Sequence, residues 1–123
     1  MVDLMSKRVL IVEDNADAAD MLAISLRAAG HSVEVAYSGP SGIAVSRTQK
    51  PHVVLLDIAM PKMDGLKVVR QLRGQPETQD SLIVAVTGFG REDDRERTKE
   101  AGFDHHLVKP VSPNQILELL GRL

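Results

Sequence analysis

An α/β fold, a parallel sheet with helices on both faces, is what this sequence predicts, and three observations carry the prediction. Short β-rich apolar runs alternate with longer amphipathic stretches five times along the chain, and the two periodicities separate strand from helix. Three of the runs, Val9–Val12, Val53–Leu56 and Leu82–Val86, are continuous apolar blocks without polar alternation, as in strands buried on both faces of a parallel sheet. The connections between runs and helices are short, which implies right-handed βαβ crossovers.

Taken in order, the first strand leads through Glu13-Asp14 into a helix over Asn15–Ala29, with Ala18, Leu22, Ser25, Leu26 and Ala29 on one stripe and Gly30 beyond it as the stop. The second strand is Val33–Ala36, and a short helix near Gly42–Thr48 follows it. The third strand ends at Asp57; Met60-Pro61 and Asp64-Gly65 then read as loop punctuation before a helix over Leu66–Leu72. After the fourth strand comes Arg91–Glu100, ten residues with nine charges and no large apolar side chain. Such a run predicts a solvated helix, Glu92–Ala101, with only Thr98 and Ala101 to hold it down. Leu107–Val108 is the fifth strand, and the last helix, Pro113–Leu120, starts from a capping box in which Ser112 caps, Pro113 takes the first position and Gln115 reaches back.

At 123 residues the chain is expected to be one domain, 1–123, with its core over about 8–120. A hydrophobic fraction of 43% with 26% charged residues supplies a real core rather than a disordered composition. That core is aliphatic, because the aromatic residues are only Tyr37, Phe89 and Phe103. So few rings argue against a base-stacking surface, and 15 basic residues against 17 acidic ones argue against a phosphate-backbone binder, so no nucleic-acid partner is expected. The absence of cysteine removes disulfides, cysteine zinc sites and thiol nucleophiles. The longest apolar run, Leu82–Val86, has five residues, far short of a membrane span or a signal-peptide core, so a soluble, cytoplasmic protein with no membrane partner is expected.

In an open parallel sheet, ligands bind at the carboxyl edge of the strands. Four of the five runs end there in a reactive group: Glu13-Asp14, Asp57, Thr87 and Lys109. Singly, each has an ordinary reading; Glu13 and Asp14 suit the acidic start of a helix, Thr87 a turn, Lys109 the surface. Asp57 is harder to dismiss, since it lies between Val53–Leu56 and Ile58-Ala59-Met60. Together they place three carboxylates, a hydroxyl and an ammonium at one crevice. Three carboxylates ionised at pH 7 repel one another, and a hard divalent cation with oxygen ligands, Mg2+ above all, relieves this. A pocket of this kind suits a phosphoryl group, with Asp57 as the carboxylate nucleophile at the centre of the sheet.

Glu13-Asp14, Asp57, Met60-Pro61-Lys62-Met63-Asp64-Gly65, Thr87-Gly88 and Lys109-Pro110, separated by 43, 30 and 22 residues from Asp14 to Asp57 to Thr87 to Lys109, resemble the receiver domain of two-component response regulators over Arg8–Leu120. The resemblance implies a flavodoxin-like, doubly wound five-stranded sheet of order 2-1-3-4-5. It implies phosphotransfer to Asp57 from the phosphohistidine of a histidine kinase or a histidine phosphotransfer protein. Asp14, Asp57 and the Ala59 carbonyl would hold Mg2+ (or Mn2+), with Glu13 acting through water. Lys109 would pair with the phosphoryl group, Thr87 would hydrogen-bond it, and the Lys109-Pro110 peptide would be cis. A downstream protein would dock on the face formed by the fourth helix, fifth strand and fifth helix.

The chain departs from the family pattern at three positions. His106 stands where a switch Tyr or Phe is usual, and Ala59 and Phe89 stand at positions bordering the path of the attacking water. A phosphatase or mutase of the haloacid dehalogenase type is a rival reading, but it carries a second Asp where this chain has Ala59; a receiver-like scaffold working without phosphate typically lacks one of the acidic or lysine positions kept here. The expected protein is therefore a phosphorylation-dependent switch that catalyses only its own phosphorylation and dephosphorylation. Met60 and Met63 read as packing around the loop, and His31 and His52, each beside a turn residue, read as surface histidines.

Overall fold

The computed structural model of the chain describes residues 6–60, 64–88 and 92–123, with the backbone alone at 92–95. Strands β1 (Arg8–Val12), β2 (Ser32–Ala36), β3 (Val53–Asp57), β4 (Leu82–Thr87) and β5 (His105–Val108) alternate with helices α1 (Ala16–Ala28), α2 (Gly39–Gln49), α3 (Gly65–Arg73), α4 (Glu92–Ala101) and α5 (Pro113–Gly121). All pairings are parallel, and the strand order is β2-β1-β3-β4-β5. The three continuous apolar runs form the centre of the sheet, as their lack of alternation requires.

Alternate residues of each central strand feed opposite cores. Leu10, Val12, Val54, Leu56, Ile83 and Ala85 pack with Val68, Val69 and Leu72 of α3 and Ala101 of α4, and Ile43 of α2 joins them from the side. Val9, Ile11, Val53, Leu55 and Val84 pack with Ala19, Ala23 and Leu26 of α1 and Ile116 and Leu120 of α5. Phe103 is the one aromatic side chain among the buried described residues, so both cores are aliphatic.

Several elements differ from the sequence-based expectation. The buried stripe of α1 is Ala19, Ala23 and Leu26, with Ala18 and Ala29 exposed; because alanines occupy several neighbouring positions, composition alone leaves the phase of the stripe open by one residue. Helix α2 begins at Gly39, not Gly42, because the Ser38 side chain accepts from Ser41 N and Pro40 fits the first turn. Strand β5 begins two residues early, at His105, because an edge strand does not need an apolar side chain at every position. Gly30, with φ +99°, ends α1 in a Schellman motif: His31 N donates to Leu26 O and Gly30 N to Arg27 O. The capping box at Ser112 and Gln115 is as expected.

The amino edge of the sheet is closed by side chains. His52 donates its backbone N–H to Arg8 O at 2.8 Å and accepts Arg8 N–H on Nδ1 at 2.9 Å. Asp104 does the same on β4, donating to Ile83 O at 2.8 Å and accepting Ile83 N–H on Oδ2 at 2.8 Å. His31 Nδ1 accepts Lys7 N–H at 3.1 Å. His31 and His52 are therefore half-buried acceptors that end the ladders of β1, not the surface histidines expected from their turn neighbours. Arg73 ties the same edge together, donating to Gly102 O, Gln79 O and Ser81 O and pairing with Asp104 at 2.6 Å.

The described side chains of helix α4 anchor it little. Of its side chains at 96–101, only Thr98 and Ala101 are buried, and two small groups contribute little at roughly 25 cal/mol per Å². Amide exchange over α4 is expected to run at least about tenfold faster than over α1; equal protection of the two helices in a hydrogen-exchange experiment would contradict this.

Candidate functional site

The site grows from the carboxyl ends of β1, β3, β4 and β5. Glu13 N continues the β2 side of the ladder by donating to Ala36 O at 3.0 Å, so Glu13 is held as a strand-end residue and is buried. Asn15 is the N-cap of α1, its Oδ1 accepting from Ala18 N at 3.0 Å. That removes the ordinary reading of Glu13 and Asp14 as the helix cap. Glu13 Oε2 instead accepts from Asn15 N at 3.2 Å, and Asp14 is exposed at the rim.

Asp57 closes β3 opposite Val86 and is 5% exposed. Ala59 N donates to its Oδ1 at 2.8 Å, and Lys109 Nζ donates to its Oδ2 at 2.8 Å. The same ammonium reaches Glu13 Oε1 at 2.6 Å, so one cation bridges two buried carboxylates. Lys109 is aimed by its backbone: its N–H donates to Thr87 O at 2.7 Å, and the following peptide, Lys109-Pro110, is cis. Thr87 is itself buried. Glu13, Asp14 and Asp57 each place a carboxylate oxygen within 4.8 Å of the others. Glu13, Asp57 and Lys109 line a cleft of about 650 Å3, whose far wall is formed by Ala18, Met21 and Leu22 of α1 and by Pro110 and Val111.

Three carboxylates and one ammonium leave an excess of negative charge, and the ionisations respond. Burial, then a hydrogen bond to Asp57, pushes the Glu13 carboxyl above its usual range despite Lys109. Burial also pushes Asp57 up, but hydrogen bonds with Glu13, Lys109 and Ala59 N outweigh it and hold Asp57 low. Burial works against the Lys109 charge, and the hydrogen bonds to Asp57 and Glu13 more than offset it, so its pKa rises. Of the two bridged carboxyls, Glu13 is the one whose charge the fold opposes.

The structure thus brings together Glu13, Asp14, Asp57 and Lys109, with the Thr87 backbone and Ala59 N beside them. His106 lies on β5, half-buried, with Nδ1 3.2 Å from Thr98 Oγ1 on α4. Met60 packs in the core, whereas Pro61, Lys62, Met63 and Phe89 lie outside the described residues. Two partners escaped the sequence reading. Asn15 carries a legible signal, a capping residue type just before a helix; Thr98 does not, since nothing local couples it to His106.

The family model for the response regulator receiver domain matches residues 9–121. This chain is a response regulator receiver domain. Protein PilH of Pseudomonas aeruginosa is 36% identical over 113 residues, 92% of this chain and 93% of PilH. Against longer relatives the receiver spans about half the length, as in the phosphate regulon regulator PhoB of the same organism, 32% identical over 95% of this chain and 51% of PhoB. Chemotaxis protein CheY4 of Vibrio cholerae superposes with a TM-score of 0.87 at 30% identity, covering 94% of this chain and 96% of CheY4. The receiver domain of sensor histidine kinase PA1611 of Pseudomonas aeruginosa, TM-score 0.84 and 27% identical over 95% of this chain and 96% of that one, has a magnesium ion coordinated in its active-site cleft. The five-stranded order of this receiver is that of the flavodoxin-like fold. Membership implies phosphorylation-dependent signalling. None of the described helices is long and apolar enough to cross a membrane.

The raised Glu13 pKa has a signed consequence. The native receiver binds a proton at Glu13 more readily than the unfolded chain, so charged Glu13 weakens the fold at neutral pH, and that cost disappears as pH falls through the folded pKa. Without divalent cation, Glu13→Gln is expected to raise stability by about 1 kcal/mol at pH 7.5, with the gain shrinking towards pH 5. Urea titrations at the two pH values measure this, and a gain that grows on acidification contradicts it.

Proposed function

We propose that this receiver accepts a phosphoryl group onto Asp57 from the phosphohistidine of a histidine kinase or histidine phosphotransfer protein, and serves as a cytoplasmic signalling switch that turns over no external substrate. The observation carrying this reading is the buried Asp57 carboxylate at the end of the central strand, held ionised against its burial by hydrogen bonds with Glu13, with Lys109 at 2.8 Å and with Ala59 N. A carboxylate oxygen of Asp57 forms the new O–P bond as the N–P bond of the donor breaks and the imidazole nitrogen leaves with the electron pair. The transferred group needs charge stabilisation more than covalent help. Lys109, already between Glu13 and Asp57, would follow the incoming phosphoryl oxygens, and Thr87 at the end of β4 would hydrogen-bond them. The reading takes residues 1–123 as one receiver unit.

The oxygen-only donor set of Glu13, Asp14 and Asp57 and its excess negative charge fit a hard divalent cation, Mg2+ or Mn2+. Asp14, Asp57 and the Ala59 carbonyl would hold it directly and Glu13 through water. When bound, the ion supplies positive charge against the phosphoryl oxygens. For output, the presence of only two buried side chains, Thr98 and Ala101, among those described at 96–101 of α4 and the absence of a fully buried residue in β5 support a downstream protein reading the α4–β5–α5 face. His106 would serve there as the switch residue, alongside Thr87.

Intact-mass measurement after incubation with acetyl phosphate, with and without Mg2+, tests the proposal. A metal-dependent gain of one phosphoryl group, lost in Asp57→Asn, is expected; an equal gain in that variant would sink it. The methyl of Ala59 cannot hold a water in line with the scissile O–P bond, and positioning of that kind is worth several kcal/mol. Ala59→Asn is therefore expected to speed decay of the phosphoprotein by about tenfold at fixed Mg2+, and unchanged or slower decay would count against the assignment of this position.

A further inference from the structure

With Glu13, Asp14 and Asp57 read as the site for Mg2+ and the phosphoryl group, we propose that Gly65 is a positioning residue of that site. The side chain it lacks lets the start of α3 rest against Ile58 and fix the turn that orients the Asp57 carboxylate. Gly65 is the first residue of α3 and is buried. A Cβ built on it would lie 2.8 Å from Ile58 Cγ2 and 3.0 Å from both Ile58 Cα and Ile58 Cβ, well inside the roughly 3.5–4.0 Å at which carbon atoms rest against one another. Because Cα and Cβ are fixed to the backbone, no change of rotamer at Ile58 relieves the contact. Any side chain at position 65 therefore moves main chain. Gly74, at the other end of the same helix, has room: its Cβ would meet only Gln71 O at 3.5 Å and Arg70 O at 3.7 Å.

The main chain that yields is the turn after Asp57. Helix α3 is held firmly, with Asp64 Oδ1 accepting from Leu66 N at 3.0 Å and from Lys67 N at 3.4 Å, and with Val68, Val69 and Leu72 buried in the core. On the other side, Ile58 N donates to Val86 O at 3.0 Å, the last backbone bond of β3 with its neighbour, and the next residue, Ala59, is exposed. The Ala59 N–H donates to Asp57 Oδ1 at 2.8 Å, so the turn that Gly65 steadies is the one that orients the carboxylate. The tolerance there is small. Glu13, Asp14 and Asp57 bring carboxylate oxygens within 4.8 Å of one another. Mg2+ demands near-octahedral oxygen ligands at about 2.0–2.1 Å, whereas Ca2+ accepts irregular sets at about 2.3–2.6 Å. A displaced Asp57 therefore weakens Mg2+ more than Ca2+, a preference that a general loss of stability does not produce.

Titrations of the metal-free protein with Mg2+ and with Ca2+, followed by nitrogen-15 NMR, test this. Gly65→Ala is expected to bind Mg2+ at least about tenfold more weakly than the parent, with Ca2+ affinity changed by less than about threefold. Gly74→Ala is expected to match the parent for both cations. In the metal-free parent, the Ala59 amide is expected to exchange at least about tenfold more slowly than in an unstructured peptide, a readout that does not depend on the variant folding. Unchanged Mg2+ affinity in Gly65→Ala, equal weakening for both cations, or an unprotected Ala59 amide in the parent overturns the proposal. A parent that binds no Mg2+, or Asp57→Asn binding it as tightly as the parent, refutes the reading of the crevice as a metal site and the proposal with it, so the two failures are told apart.

Discussion

A carboxylate at the end of a strand buried on both faces stays ionised only if hydrogen-bond donors and a nearby cation together outweigh its burial, and the geometry of this receiver follows from meeting that condition at Asp57. The cation is Lys109, delivered from the far end of the chain by β5 and aimed by the hydrogen bond from its N–H to Thr87 O. The same ammonium also serves Glu13, and one positive charge shared between two buried carboxylates cannot satisfy both. The uneven result, Asp57 held low and Glu13 pushed high, leaves the crevice with a standing demand for further positive charge.

Much of this was legible in the sequence because it rests on local contrast. Val53–Leu56 followed by Asp57 is an abrupt change from apolar to charged, and a parallel sheet gathers such strand ends at one edge whatever the intervening helices do. The central strands and the capping box at Ser112 were readable for the same reason, as was the burial of Thr98 and Ala101 among the described side chains of α4. What sequence could not supply was phase and pairing. The stripe on α1 was misplaced by one residue because Ala18, Ala19 and Ala23 carry too little contrast to distinguish inside from outside. The early start of α2 was hidden in Ser38-Gly39-Pro40, which resembles a turn as much as a helix entrance. The link between Thr98 and His106 joins elements whose relative placement is set only by the assembled sheet.

The histidines are the more instructive failure. A polar residue next to glycine or proline is ordinarily a turn residue facing water, and His31 and His52 fit that description. The physical reason they differ is that a parallel sheet leaves unpaired backbone groups where its strands begin, and those groups need partners when neighbouring elements cover them. A residue one step before the adjoining strand is well placed to supply one. Asp104 meets the same need on β4, so the rule belongs to the position rather than to the imidazole.

Closure of the amino edge by side chains has a consequence for how the domain can diversify. The residues that tie the strands together there, His31, His52, Arg73 and Asp104, lie a full strand away from Glu13, Asp57 and Lys109, about 17 Å for five residues. At that separation, substitutions in the two sets combine nearly additively. Changes that retune the crevice or its partners can therefore accumulate without disturbing the framework, and the framework can be hardened without altering the chemistry.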